Sequence, residues 1–320
     1  MDKVFRKVRV AAIQMKSDNC QIEKNINRAT QLVEQAFDKG AQIVVLPEFM
    51  PTGYIMTEEI WDSAERNDGK TVQWLKGISK LLGIWIGTSY LEADEEDFYN
   101  TFVLANPDGE IAGQVRKNPP ASVEAYFTRS GSGKRFIETE FGRIGISICG
   151  ENIFCNNLTE LFYSSVDMVL QPTSAPTLMK KFPFRQKDVE AVYKLIENGP
   201  QVTSYKLGVP VVMANKCGDW ISPMPGLSPD QHSKFTGQSA IVDYDGSVKA
   251  RLRREGEGVI VEDVILDPNR KAMTPPRCNG RWSMPMPWFA FLYPFTQKLG
   301  EKSYNSNQRR KEQAKTVTMG

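Results

Sequence analysis

Cys149 closes the apolar run Ile144-Gly145-Ile146-Ser147-Ile148 and is followed by Gly150-Glu151-Asn152. That order reads as a buried strand running into a tight turn, a geometry that presents a side chain at a sheet edge. A cysteine held there is a candidate nucleophile, because its thiolate attacks electrophilic carbon readily. The usual base for such a thiol is a histidine, but the chain has one histidine, His232, in a polar segment that reads as loop. A carboxylate is the better candidate, and Leu46-Pro47-Glu48-Phe49 offers one directly after a second apolar run. Between them Arg116-Lys117-Asn118-Pro119 supplies a cation in Lys117.

Opening the C–N bond of an amide or nitrile needs three parts. A nucleophile attacks the carbon, a base takes its proton and passes it to nitrogen, and a cation or N–H holds the developing charge. Cys149, Glu48 and Lys117 suit these roles in turn, and the Gly150 N–H, just after the nucleophile, is a natural second donor to an oxyanion. Each residue alone has a plainer reading. A strand-end cysteine is most often core, a glutamate after a strand caps the next helix, and a lysine is usually at the surface. Their order together carries the catalytic reading.

The elements needed to position these residues are legible along the chain. Val8–Gln14 reads as a strand, residues 21–39 as a helix with Ile22, Ile26, Ala29, Leu32, Val33 and Ala36 at helical spacing, and Gln42–Leu46 as a second buried strand. Strand, helix and strand in so short a span predict a parallel crossover unit. Further strands read at 83–87, at 99–104 paired with 111–115 around Asn106-Pro107-Asp108-Gly109, before Cys149, at 167–170, at 210–214 and at 258–261. Helical segments read at about 157–165 and 184–206. Residues 8–267 therefore read as one α/β domain with a mixed sheet arrangement. The chain divides into a catalytic domain, 1–267, and a C-terminal extension, 268–320. The extension begins with a Pro-punctuated aromatic stretch, 284–295, that packs on its own domain or across a dimer, and ends in a polar tail from Gly300 with no helical or strand period.

Bulk composition narrows the partners. With 41% hydrophobic and 24% charged residues the chain has enough apolar material for a large core. A net charge of +2 from scattered residues gives no footprint for nucleic acid. Met1–Lys7 is not followed by an apolar signal core, and no stretch is long and apolar enough to span a bilayer, so neither a secretory leader nor a membrane partner is expected. The five cysteines, Cys20, Cys149, Cys155, Cys217 and Cys278, are odd in number and irregularly spaced. They predict no disulfide framework and a reducing, cytoplasmic setting, with Cys155 and Cys217 as core or pocket wall. With no Cys-x-x-Cys pair and one histidine, no zinc site is expected.

Pro47-Glu48-Phe49, Arg116-Lys117 and Ile148-Cys149-Gly150-Glu151-Asn152 resemble the three motifs of the nitrilase, or carbon–nitrogen hydrolase, superfamily. Val8–Gln14, Leu170–Ala175, Val212–Lys216, Phe235–Ser239 and Asp243–Gly246 agree in order and character, so the resemblance covers about residues 8–267. It implies an α/β fold, a four-layer αββα sandwich with two mixed β-sheets, that dimerises, with no metal or organic cofactor. It implies Glu48 as general base, Lys117 as stabiliser of the tetrahedral intermediate, Cys149 as nucleophile, and Glu124 as a second glutamate that orients Lys117 or the hydrolytic water. Gly150, Glu151, Asn152 and Ser174 are the matching candidates for substrate binding. Tyr54, shortly after Glu48, either lines the pocket or simply packs. Gly150 stands where members of the superfamily carry a bulkier residue, while Glu151-Asn152 matches the nitrilase-like form. The expected activity is hydrolysis of a small amide or N-carbamoyl compound through a thioester. The alternatives are nitrile hydrolysis, acyl transfer to an amine, and a catalytically inactive scaffold.

Overall fold

The computed structural model describes residues 5–225 and 230–319. Met1–Val4, residues 226–229 of the loop expected to border the pocket at 218–234, and Gly320 lie outside the described residues.

The amino-terminal half runs β1 (Arg6–Gln14), α1 (Ile22–Asp38), β2 (Ile43–Val45), α2 (Lys70–Leu82), β3 (Trp85–Asp94), β4 (Asp97–Ala105) and β5 (Ile111–Arg116). The second half runs β6 (Phe136–Thr139), β7 (Gly142–Ile146), α3 (Cys155–Tyr163), β8 (Met168–Thr173), α4 (Gln186–Leu207) and β9 (Val211–Asn215). It continues with the small ribbon β10 (Asp219–Ser222) and β11 (Gln231–Lys234), then β12 (Ala240–Val242), β13 (Val248–Arg251) and β14 (Gly258–Leu266). Two helices close the chain, α5 (Leu292–Ser306) and α6 (Gln308–Met319).

The strands form two six-stranded sheets, β14-β1-β2-β3-β4-β5 and β13-β12-β9-β8-β7-β6. Each is mixed in the same way. β1, β2 and β3 are parallel neighbours in the first, β7, β8 and β9 in the second, and the flanking pairs are antiparallel. The strands alternate their side chains between two apolar surfaces. Val8, Val10, Ala12, Ile43 and Val45 meet Ile144, Ile146, Met168, Leu170 and Val212 between the sheets. Ala11, Ile13, Val44 and Ile86 take the opposite face, under Ala29, Val33 and Ala36 of α1 and Val72, Leu75 and Ile78 of α2. Val169, Val211 and Met213 do the same beneath α3 and α4. The result is the expected αββα sandwich, with both central strand sets buried on two faces. Among the described residues no helix is long and apolar enough to cross a membrane.

This architecture puts the candidate residues at one end. Ligands of open α/β sheets gather beyond the carboxyl ends of the strands. Glu48 follows β2, Cys149 follows β7 and Ser174 follows β8. β5 runs in the direction of β3, because both are antiparallel to β4, so Lys117 emerges at the same end.

Two expectations about the second half need correction. Cys155 and Cys278, 123 residues apart, form a disulfide, which leaves Cys20, Cys149 and Cys217 free among the described residues. Irregular spacing hid this pair, since it depends on where the C-terminal segment returns to the domain. The cytoplasmic setting was inferred from unpaired cysteines and loses that support. The tail beyond Gly300 is also helical. Its helices lack a strong apolar stripe and depend on tertiary partners. Ala314 is fully buried, Tyr304 donates to Asp97 and accepts from the Phe98 N–H, and Arg310 pairs with Asp97 while Lys315 pairs with Glu96.

Candidate active site

Cys149 has φ +47°, in the left-handed region that non-glycine residues avoid at a cost of roughly 1–2 kcal/mol. Hydrogen bonds from its neighbours hold it there. The Ile148 N–H donates to Glu151 Oε2 at 2.5 Å, and the Glu151 N–H returns to the Ile148 carbonyl at 3.1 Å. Glu151 Oε1 accepts from the Asn118 N–H at 2.5 Å and from Arg135. One buried carboxylate thus ties the cysteine turn to the residue after Lys117. The turn after β2 is built alike. Phe49 has φ +45°, its N–H donates to Ser89 Oγ at 2.9 Å, and Ser174 Oγ donates to the Glu48 carbonyl at 2.6 Å.

Between these turns lies a buried charge cluster. Lys117 Nζ donates to Glu48 Oε1 at 2.6 Å and to Glu124 Oε2 at 2.5 Å, and all three side chains are at most 1% exposed. Asn100 Nδ2 donates to both carboxylates, at 2.8 Å to Glu48 Oε1 and 2.9 Å to Glu124 Oε1. Burial opposes the Lys117 ammonium, but the charges of Glu124 and Glu48 more than offset it and hold its pKa well above the usual lysine value. The Glu124 carboxyl is pushed up by burial and by the charge of Glu48, against the pull of Lys117. The two glutamates differ in one respect. Both Glu124 oxygens are engaged, whereas Glu48 Oε2 is buried with no partner among the described residues. An ammonium carries three N–H donors, and two on Lys117 are used, so one carboxylate oxygen and one N–H donor stand free in the same cluster among the described residues.

The half-buried Cys149 thiol senses both. Burial and the charge of Glu48 push its pKa well above that of a free cysteine, while Lys117 and the Ser174 N–H pull the other way. These influences favour the neutral thiol, which would need a base to act as a nucleophile. A half-buried thiol, a carboxylate with a free oxygen and a fixed ammonium together meet the requirements for covalent acyl chemistry. Among the described residues no cluster of His, Cys, Asp or Glu is grouped as a metal site.

The family model for carbon–nitrogen hydrolases matches residues 9–270. The chain belongs to this family. A nitrilase of Pyrococcus abyssi (strain GE5 / Orsay) is 31% identical over 171 residues, 52% of this chain and 65% of that protein. The N-carbamoylputrescine amidase of Arabidopsis thaliana is 24% identical over 271 residues, 82% of this chain and 88% of the plant protein. The solved structure of a carbon–nitrogen hydrolase from Helicobacter pylori G27 superposes with a TM-score of 0.73 at 19% identity, covering 83% of this chain and 91% of that one. That likeness carries the fold of the family.

Within the family fold, the remaining predicted residues take different places. Tyr54 is buried among Phe49, Trp220 and Phe235, and its phenol pKa is raised by burial and by the charges of Glu124 and Glu48, which puts it beside the cluster. Gly150 is half-buried on the cysteine turn. Glu151 is a fully buried brace with both oxygens occupied. Asn152 Oδ1 accepts from Ser147 Oγ at 2.5 Å, and Ser174 turns its hydroxyl to the Glu48 carbonyl.

Sequence reasoning missed Asn100, and it left Lys216 either in a turn after its strand or near the pocket. A buried amide in the apolar run Phe98–Leu104 was the one available signal for Asn100. Lys216 is fully buried, and its Nζ donates to the carbonyls of Phe49 at 2.8 Å and Gly53 at 2.9 Å, fixing the turn that carries Glu48. Among the described residues no carboxylate bonds it, and burial lowers its pKa from 10.5 to about 7. Between those values the unfolded chain holds a proton that the native protein has lost, so native stability rises with pH across that window. Relative to Lys216→Met, the wild type is expected to gain up to about 1.4 kcal/mol per pH unit above neutrality. Urea denaturation of both proteins at about pH 6 and about pH 9 checks this, and a difference independent of pH would refute it.

Proposed function

We propose that the protein is a cysteine-dependent hydrolase of non-peptide C–N bonds, acting on a small amide or N-carbamoyl compound. The observation that carries the reading is the asymmetric cluster, in which Glu48, unlike Glu124, keeps a free carboxylate oxygen and Lys117 keeps one free donor beside the Cys149 turn among the described residues. Glu48 takes the thiol proton as sulfur bonds to the substrate carbon. The carbonyl π pair moves to oxygen, where the third Lys117 N–H and the Gly150 N–H hold the charge. Glu48 then gives its proton to the nitrogen, the C–N bond breaks, ammonia or an amine leaves, and a thioester remains. Water, deprotonated by Glu48, attacks the thioester; the acid departs and the thiol regains its proton. Glu124 and Asn100 keep Lys117 and Glu48 in register, and Tyr54 lines the pocket.

Similar chemistry is named in relatives. The plant relative is an N-carbamoylputrescine amidase, and a structural neighbour, a mutant of the amidase from Nesterenkonia sp. AN1, carries acrylamide added to its active-site cysteine. Glu151 and Asn152, the two residues that match the nitrilase-like form, are engaged in bracing the turn, so they do not favour a nitrile over an amide. A homodimer is part of the reading, with exposed Phe182, Trp288, Phe291 and Phe295 as apolar surface for a second copy; sedimentation of the purified protein tests it.

The deciding experiment is product release from a panel of amides, N-carbamoyl compounds and nitriles, with hydroxylamine added to intercept the thioester. Ammonia or amine release from an amide or N-carbamoyl compound, with hydroxamate formed at the expense of acid, is the expected result. Turnover confined to nitriles would replace the substrate class, and turnover with no trappable acyl group would remove the thioester.

A further inference from the structure

Three polar atoms around the cluster are buried without a partner among the described residues: Glu48 Oε2, which the proposed mechanism uses, and Asn100 Oδ1 and the hydroxyl of Tyr293, which it does not. Buried hydroxyls without partners are rare in folded proteins and call for an explanation. Tyr293 opens α5, far outside the segment that carries the motif residues, yet its phenol interacts electrostatically with Lys117, Cys149, Glu124 and Glu48. Its position is defined by Gly150. A side-chain carbon placed on Gly150 would collide with the Tyr293 hydroxyl oxygen and would lie 2.8 Å from the Ala121 Cβ. The bare glycine is what lets the tyrosine reach the cysteine turn.

The C-terminal segment is built to hold it there. Cys155 N–H donates to the Arg281 carbonyl and Ser283 N–H to the Ile153 carbonyl, each at 2.8 Å, and the Cys155–Cys278 disulfide anchors the same stretch. The Tyr293 ring packs edge-on against Phe154 at 5.4 Å and Trp282 at 6.3 Å. Further along α5, Gly300 sits so close to the turn carrying Glu124 that a Cβ there would lie 2.8 Å from the Ala125 backbone. Such a clamped aromatic ring loses its rotamer freedom before any ligand arrives.

We propose that Tyr293 is a substrate-contacting specificity residue, with the C-terminal arm as a wall of the site and its hydroxyl donating a hydrogen bond to an acceptor oxygen of the substrate bound at Cys149. This rests on the reading of Cys149 as nucleophile. Burial keeps the phenol protonated, so it acts as a donor.

Tyr293→Phe tests it, because it deletes the oxygen and keeps the ring. Removing a buried hydroxyl that has no protein partner should leave the melting temperature unchanged or raise it, whereas removing one that bonds to substrate should slow the reaction. The reaction followed is addition of acrylamide to Cys149, in which sulfur bonds to the terminal alkene carbon and the thiol proton ends on the carbon next to the carbonyl. Intact mass reports it without a known substrate, and its amide oxygen is the acceptor. Tyr293→Phe is expected to add acrylamide about 10-fold more slowly or worse, with no loss of thermal stability. A rate within twofold of wild type would overturn the proposal. So would a melting temperature several degrees lower, which would mean that the hydroxyl bonds within the protein. Cys149→Ala, run in parallel, separates the two readings. If it still takes up acrylamide at the wild-type rate, the nucleophile assignment fails; if it does not, and Tyr293→Phe reacts normally, only this inference fails.

Discussion

Lys117→Met is expected to lose both activity and stability, by about 10³-fold or more in kcat/KM and by roughly 3–5 kcal/mol in unfolding free energy. The two losses have one cause. Lys117 is the single cation bonded to Glu48 and Glu124 among the described residues, and all three side chains are out of water. Without it, two buried carboxylates share the Asn100 amide and repel each other. Breaking a buried ion pair costs more than deleting it whole, because the remaining charge has no solvent to return to. The deficit should depend on pH. Glu124 already has a raised pKa, and loss of Lys117 raises it further, so the stability penalty grows as pH climbs through that raised value and shrinks in acid, where the carboxyl is neutral in both states. Urea unfolding of the variant and the wild type at about pH 5 and about pH 8 reads the effect. A methionine variant with a tenth of wild-type activity, or equally stable at both pH values, would contradict this account.

Cys149→Ala is expected to lose activity alone, with turnover falling to background, about 10⁴-fold or more, and stability changing by less than about 1 kcal/mol. The half-buried thiol favours its neutral form, so its removal leaves no charge unpaired. The left-handed turn survives because Glu151, Ile148 and Asn118 hold it, not the sulfur. Alanine bears φ +47° about as well as cysteine does, since both carry a Cβ. A folded, silent Cys149→Ala beside an unstable, silent Lys117→Met would separate the nucleophile from the electrostatic frame. Residual turnover above about 1% in the alanine variant would assign the nucleophile elsewhere.

The same contrast explains what could be read from the chain. Local order was legible wherever a period reports burial. Val8–Gln14 and the helix at 21–39 were read within one or two residues of β1 and α1, because alternation and helical spacing both record which face leaves water. The ribbon of β10 and β11 and the helices of the tail were not, because their burial is partial and their partners are distant.

The sequence by itself determined an α/β domain with a mixed sheet arrangement and the placing of Glu48, Lys117 and Cys149 just beyond strand ends, features that follow from hydrophobic period and residue order, both local in the chain. The family and the four layers of its sandwich were legible only through the resemblance of the three motifs. Tertiary structure alone decided what those residues meet. Asn100 reaches Glu48 across 52 residues, Ser174 reaches it across 126, and the Lys216 amine reaches the Phe49 carbonyl across 167. It also decided that Glu151 braces the turn, that Cys155 finds Cys278, and that Tyr293 stands over Gly150. A single chain carries no record of such pairings, because a polar side chain looks the same in sequence whether its partner is water or a residue brought back by the closing of two sheets.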